Sequence, residues 1–176
     1  MATREVTAVS SGLSLSINRM TEHDLLEVVE IEKDSGLSMW GWDAYHKELQ
    51  SPEDVIMLVA RTEPQTGKSA ADPNHEHAIA GFIVSRLVAG ELHLNNVAVR
   101  PEFRRQGLAA RLLAAVLTQG RRGGAQVAFL EVRAGNAAAQ GLYRGCGFRV
   151  TGRRRLYYRQ PAEDALLMSL LLETRP

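Results

Sequence analysis

Apolar and polar residues alternate in two rhythms along this chain, and the rhythm changes at positions marked by glycine and proline. Leu13, Leu15 and Ile17 alternate with Ser14, Ser16 and Asn18, the period of a half-buried strand. Thr21 and Asp24 then stand three apart like a capping box, and Leu25, Val28, Val29 and Glu32 share one face of the helix that follows. Residues 43–49 predict a second helix, stopped ahead of Pro52 by the restriction that proline places on its predecessor. Residues 55–60 and 78–87 predict the two strands of an antiparallel hairpin. The loop between them, 61–77, is long and contains Pro64, Gly67 and Pro73.

Residues 92–99 predict a further strand. From Gly107 to Gln119 the period turns helical, with Leu108, Leu112 and Val116 four apart and Gly120 placed to stop the helix. A strand over 126–132, a short helix over 137–146 ended by Gly147, and two closing strands over 148–158 and 165–172 complete the pattern. The order β-α-α-β-β-β-α-β-α-β-β describes one mixed α/β domain over 13–176, preceded by a flexible tail of small residues over 1–12.

Composition narrows the class. A chain of 176 residues supports one domain with a sizeable core. With 21 Lys and Arg against 20 Asp and Glu, it has no overall charge with which to attract nucleic acid or a membrane. Its one cysteine, Cys146, excludes a disulfide framework, and the first ten residues hold no signal-type apolar run. The expectation is a soluble cytoplasmic protein. His75-Glu76-His77 sits in the long loop without a third ligand at metal spacing, so no metal is expected.

Candidate chemistry lies in two segments. In the first, the strand ending at Val97-Ala98-Val99 runs through Arg100-Pro101 into Arg104-Arg105-Gln106-Gly107-Leu108-Ala109-Ala110. Small residues at a helix N-terminus let backbone N–H groups approach an anion, and the two arginines add charge beside them. The spacing is neither a dinucleotide fingerprint nor a P-loop. In the second segment, Glu131 interrupts an apolar strand on the face of Val127 and Phe129. A carboxylate taken out of water there is costly, and the cost favours a group that can accept a proton. Asn136 suits the N-cap of the next helix, and Tyr143 lies one turn beyond Ala139 near its apolar face. An exposed edge glutamate, a simple cap and a packed aromatic explain the same three residues without chemistry.

Arg104 to Ala109 matches the R/Q-x-x-G-x-G/A signature of the GCN5-related N-acetyltransferases, and the chain resembles that superfamily over most of 13–172. The string Leu-Glu-Val-Arg-Ala-x-Asn-x-x-Ala-x-x-Leu-Tyr-x-x-x-Gly-Phe from Leu130, with Arg154 to Tyr158 and Glu163-Asp164-Ala165, resembles the branch of RimI-type ribosomal-protein-alanine N-acetyltransferases. The resemblance implies a mixed sheet of six to seven strands flanked by about four helices. It implies acetyl-CoA as cosubstrate and a protein N-terminus, that of a ribosomal protein, as acceptor. Glu131 would be the base, acting through water, and Tyr143 the acid. Val97, Ala98 and Val99 would pair with the pantetheine arm. Arg104, Arg105, Gln106, Gly107, Leu108, Ala109 and Ala110 would cradle the pyrophosphate, and Asn136 would also touch the cofactor. Ala109 and Ala110 depart from the glycine and basic residue common in the family.

Trp42, Tyr157 and the Glu163-Asp164 pair would receive the acceptor. Acetylation of lysines or small amines, and acyl-CoA binding without catalysis, remain open as other readings. Nucleic-acid binding through Arg153-Arg154-Arg155 with the paired tyrosines is disfavoured by the low net charge.

Overall fold

The computed structural model describes residues 6–8, 14–36, 39–62 and 79–172. Where apolar residues alternate, strands form: β1 (Val6–Ala8), β2 (Ser14–Arg19), β3 (Val55–Thr62), β4 (Ile79–Val88), β5 (Glu91–Val99), β6 (Val127–Arg133), β7 (Arg149–Arg159) and β8 (Ala162–Leu171). Helical periods give α1 (Leu25–Asp34), α2 (Gly41–Leu49), α3 (Leu108–Arg122) and α4 (Ala137–Gly145). The strands form one sheet in the order β1-β2-β3-β4-β5-β6-β8-β7. All neighbours are antiparallel except β5 and β6, which α3 connects in parallel.

The predicted elements all form, and the mixed sheet has the expected architecture with one short strand more. Val6–Ala8, placed by sequence in a loose tail, pairs with Ser14 to Ser16 of β2. Most of the 61–77 loop, with His75-Glu76-His77, lies outside the described residues, and Arg61 and Thr62 extend β3 instead. The capping residues behave as expected. The Thr21 N–H and hydroxyl both donate to the Asp24 carboxylate, at 2.7 and 3.0 Å, which opens a 3-10 turn (Glu22–Asp24) leading into α1.

Both sheet faces are covered. α3 lays Leu108, Leu112, Leu113 and Val116 on one face, against Ile83, Leu92, Ala128 and Leu130. α1 and α2 cover the other, with Leu25, Val28, Ile31 and Tyr45 over Met57, Val59 and Phe82. Burial on both sides explains why β3 and β4 read as nearly continuous apolar runs.

Gly120 does not stop α3. The helix runs on to Arg122, and Gly124 takes the left-handed conformation (φ +91°) after it. A Cβ on Gly120 would lie 2.6 Å from Leu92 Cδ2, so this glycine serves the close approach of helix to strand.

Candidate active site

The site begins with a defect in pairing. Between β4 and β5 the register passes from Val84↔Asn96 to Ser85↔Leu94, leaving Asn95 as an extra residue on β5. Such a bulge bends its strand. At this point the ladder between β5 and β6 ends, its last pair being Leu94↔Leu130, while β6 continues along β8 as far as Arg133↔Ala165. The two strands therefore part, and residues 95–99 of β5 have no strand on that side.

Alternation along β5 then decides which backbone groups are free. The Arg100 N–H donates to the Ala80 carbonyl at 2.9 Å. Ala98 and Asn96 thus face β4, and Val97 and Val99 turn their N–H and C=O to the open side, where, among the described residues, only the Val99 carbonyl has a partner, Arg104. The Ala98 carbonyl lies against Gly81 of β4, so its backbone pairs within the sheet, while the residue still borders the open side with Val97 and Val99.

Beyond Val99 the chain makes a 3-10 turn with Pro101 in its first position, and the Arg104 Nε donates back to the Val99 carbonyl at 2.9 Å. Gln106 donates to the Glu102 carbonyl at 3.0 Å. Arg105 (φ +61°) and Gly107 (φ +76°) are both left-handed, and Gly107 has open space where a side chain would stand. The first ladder bond of α3 runs from Arg111 N–H to the Gly107 carbonyl, so the N–H groups of Gly107 to Ala110 have no partner within the helix. Gly107 has no side chain to cap them. Leu108 is buried in the core and can contribute only its backbone, whereas Arg104, Arg105, Gln106 and Gly107 are exposed. An extended arm along Val97 and Val99, with a diphosphate at this helix end, fits the groups that are present.

A groove of about 840 Å³ follows the parting of β5 and β6. Val97, Val99, Arg104, Glu131, Asn136 and Tyr143 all line it. A smaller hollow of about 240 Å³ beside Arg19 and Pro52 collects none of the predicted site residues.

Glu131 is not buried as its strand suggested. Its side chain is 26% exposed and pairs with Arg154 Nη1 at 3.3 Å. Arg154 reaches it across β8: Glu131 and Gly152 both pair with Leu167, and Arg154, two residues on from Gly152, lies on the same face. Beyond it Tyr158 opposes Glu163, so the three residues 155–157 face Asp164 alone. Leu156 turns left-handed there (φ +49°), its N–H donating to Asp164 at 2.8 Å. Tyr157, beside it, has its hydroxyl pushed up from its ordinary value chiefly by the nearby Glu131 carboxylate, with burial adding to it.

Tyr143 packs edge-on against Phe148, ring centres 6.0 Å apart. Burial, with smaller contributions from Tyr158 and Cys146, pushes its hydroxyl up to about 12. Asn136 accepts from the Ala139 N–H at 3.0 Å and so caps α4 while lining the groove. Cys146 is half-buried against the core, and burial raises its thiol as well.

Two expectations about the acceptor side need correction. Trp42 does not reach the groove; it stacks on His46 at 4.5 Å, and Trp40 lines the groove in its place. Glu163 is engaged by Arg133 and the Gly135 N–H, and Asp164 by Arg153 and the Leu156 N–H, so this pair braces the hairpin. Sequence reasoning also missed Arg154 as the partner of Glu131, because which residue of β7 stands over Glu131 depends on the order and register of β6, β8 and β7, which no periodicity records.

Tyr45 is raised by burial and by Glu32, and Tyr158 by burial, so all four tyrosines sit above their ordinary value near 10. A raised folded-state value means that the folded chain holds protons which the unfolded chain releases. The resulting stabilisation is complete below about pH 10 and is lost as pH climbs through about 12. The urea midpoint is therefore expected to fall steadily above about pH 10; a level midpoint to about pH 11.5 would contradict this.

The chain belongs to the acetyltransferase (GNAT) family, whose model matches residues 25–148. It is an N-acetyltransferase with acetyl-CoA as cosubstrate. It is 30% identical over 156 residues to the N-alpha-acetyltransferase RimI of Mycobacterium tuberculosis, covering 88% of this chain and 90% of that one. It is 40% identical over 94 residues to the [ribosomal protein bS18]-alanine N-acetyltransferase of Escherichia coli K12, covering 52% of this chain and 64% of that protein. The crystal structure of the ribosomal-protein-S18-alanine N-acetyltransferase from Escherichia coli superposes with a TM-score of 0.75 at 29% identity, covering 92% of this chain and 96% of that one. Among the described residues, no helix is long and apolar enough to cross a membrane.

Proposed function

We propose that this enzyme acetylates the α-amine of a protein N-terminus, an alanine at the start of a ribosomal protein, in the cytoplasm. The observation that carries the reading is the placement of Glu131 on β6, across the parting of the sheet from the open backbone of Val97 and Val99. The names of the relatives support the choice of acceptor.

Acetyl-CoA supplies the thioester. Val97 and Val99 hold the pantetheine arm as a neighbouring strand would, and the helix end at Gly107 to Ala110, with Arg104 and Arg105, takes the diphosphate. The Val99 N–H faces the carbonyl oxygen and stabilises the charge that forms on it. An α-amine has a pKa of roughly 7.7–8.0, so a base is needed to make it nucleophilic at neutral pH. Glu131 accepts the proton, through water, as the nitrogen–carbon bond forms.

The carbon–sulfur bond then breaks and the thiolate leaves beside Tyr143. With its hydroxyl at about 12 against about 8.5 for a thiol, Tyr143 gives up its proton only uphill, even to the fully formed thiolate. Tyr143 therefore acts by donating a hydrogen bond to sulfur as negative charge grows there, and the CoA thiolate departs as the anion and takes its proton from solvent. Alignment of the two reactants in the groove supplies the larger part of the acceleration.

The test is acetyl-CoA turnover on a peptide panel, with mass spectrometry locating the acetyl group. The panel holds a peptide beginning with alanine, the same peptide with a blocked α-amine, a lysine peptide and small amines. Acetylation confined to the free alanine terminus is expected. Turnover only on lysines or small amines would overturn the choice of acceptor and leave the chemistry standing.

A further inference from the structure

α1 carries one carboxylate where its face should be apolar. Glu32 is 0% exposed, and its two oxygens gather donors from three parts of the fold. Oε1 accepts from the Trp40 N–H at 2.8 Å and the Tyr45 hydroxyl at 2.7 Å, and Oε2 accepts from the Gly41 N–H at 3.0 Å. The Asn96 amide donates to the Tyr45 hydroxyl at 2.8 Å and more distantly, at 3.4 Å, to Glu32 Oε1. Burial keeps Tyr45 protonated, so its hydroxyl donates to Glu32 while accepting from Asn96.

The two ends of this network are both walls of the groove. Trp40 lies at the entry to α2 and tilts against Tyr45, ring centres 5.5 Å apart. Asn96 is the first residue of β5 past the bulge, beside the backbone proposed to seat the thioester. A helix cap alone would need none of this. Trp40 and Gly41 are held by a side chain from the preceding helix, and the same side chain is tied through Tyr45 to the strand at the parting of the sheet.

On the reading that the groove takes a peptide N-terminus, we propose that Glu32 is a positioning residue that locks the Trp40 wall to Asn96 of β5, and so sets where the acceptor amine stands relative to the thioester. Without it the wall between α1 and α2 is free to move while β5 and the diphosphate loop stay in place.

Glu32→Gln tests this sharply. It keeps the shape but puts an NH2 group where one of the oxygens now accepts, so a donor faces a donor. Tyr45→Phe is the milder variant, cutting the link to Asn96 while sparing the two backbone bonds. The acceptor KM for the alanine peptide is expected to rise about tenfold or more in Glu32→Gln and about threefold in Tyr45→Phe, the scale of lost charge-assisted and neutral hydrogen bonds. The Kd for acetyl-CoA should stay within about twofold in both, since its seat is unaltered. Amide exchange at Trp40 and Gly41 should quicken in Glu32→Gln while that of α3 does not.

Simple loss of stability would lower the active fraction without moving KM. An unchanged acceptor KM in both variants, or acetyl-CoA affinity falling in step with it, would overturn the proposal. If Glu32→Gln does not fold, an unchanged KM in Tyr45→Phe does so alone. A wild-type enzyme that acetylates no peptide α-amine would sink the functional reading instead, and the exchange at Trp40 and Gly41 would then decide the role of Glu32.

Discussion

Replacing Glu131 with glutamine is expected to lower kcat by about 10²–10⁴-fold at neutral pH, the usual range for losing a general base. The substitution keeps the side chain's size on β6, so the Glu131↔Leu167 register and the groove wall stay as they are. What it removes is the group proposed to take the ammonium proton. It also leaves Arg154 without its partner at 3.3 Å and Tyr157 without the carboxylate near it. Because Arg154 is exposed, its release to water costs little.

The loss should therefore fall on kcat, with the acetyl-CoA Kd and the thermal midpoint nearly unchanged. Part of the rate should return at high pH, where the α-amine is already neutral. A variant retaining more than about a tenth of the wild-type kcat at pH 7 would remove Glu131 from the role of base.

The second large effect is on the sheet itself. Gly81 of β4 pairs with Val99, and a Cβ there would come 2.7 Å from the Ala98 carbonyl and 3.1 Å from Val99 Cγ2. The first of these atoms is backbone, so the clash cannot be relieved by turning a side chain. Gly81→Ala is expected to push β5 outward at the point where its free edge begins. The expected cost is about 1–3 kcal/mol of stability, as for other overpacked interiors. Weaker acetyl-CoA binding should accompany it, because Val97 and Val99 move with the strand. Urea unfolding together with calorimetric titration of acetyl-CoA reads both. An unchanged affinity alongside reduced stability would show that the edge tolerates displacement.

How far the residues foretold this structure depends on the kind of signal each feature leaves. Elements whose faces alternate at a fixed period were legible: α3 from Leu108, Leu112 and Val116, and β6 from its alternate burial. The glycine turn into α3 was legible because Gly107 must be left-handed and small, a local demand. Glu131 and Tyr143 do line one groove. Features created by register were not legible. Asn95 looks like any polar strand residue, yet as the bulge it marks where the sheet opens. Trp42 was preferred to Trp40 because both are aromatic, and only the turn into α2 decides which faces the groove. Gly120 was misread as a stop because a glycine needed for close packing has the same letter as one needed for a left-handed turn. Glu32 was visible on the apolar face of α1, but its partners lie 8, 9, 13 and 64 residues away.

The bulge at Asn95 makes the cleft a matter of counting. One surplus residue on β5 separates a sheet that could zip shut along β6 from one that comes apart like an unfastened seam. Beyond it, Val97 and Val99 offer a template for a strand that the polypeptide does not provide. On the proposed reading, a substrate that completes the template is measured along its length, with one end held at Gly107 and the reacting end stopping opposite Glu131. On that reading the fold acts as a gauge for the arm, and a longer or shorter arm would carry its reactive carbon past Glu131 or leave it short.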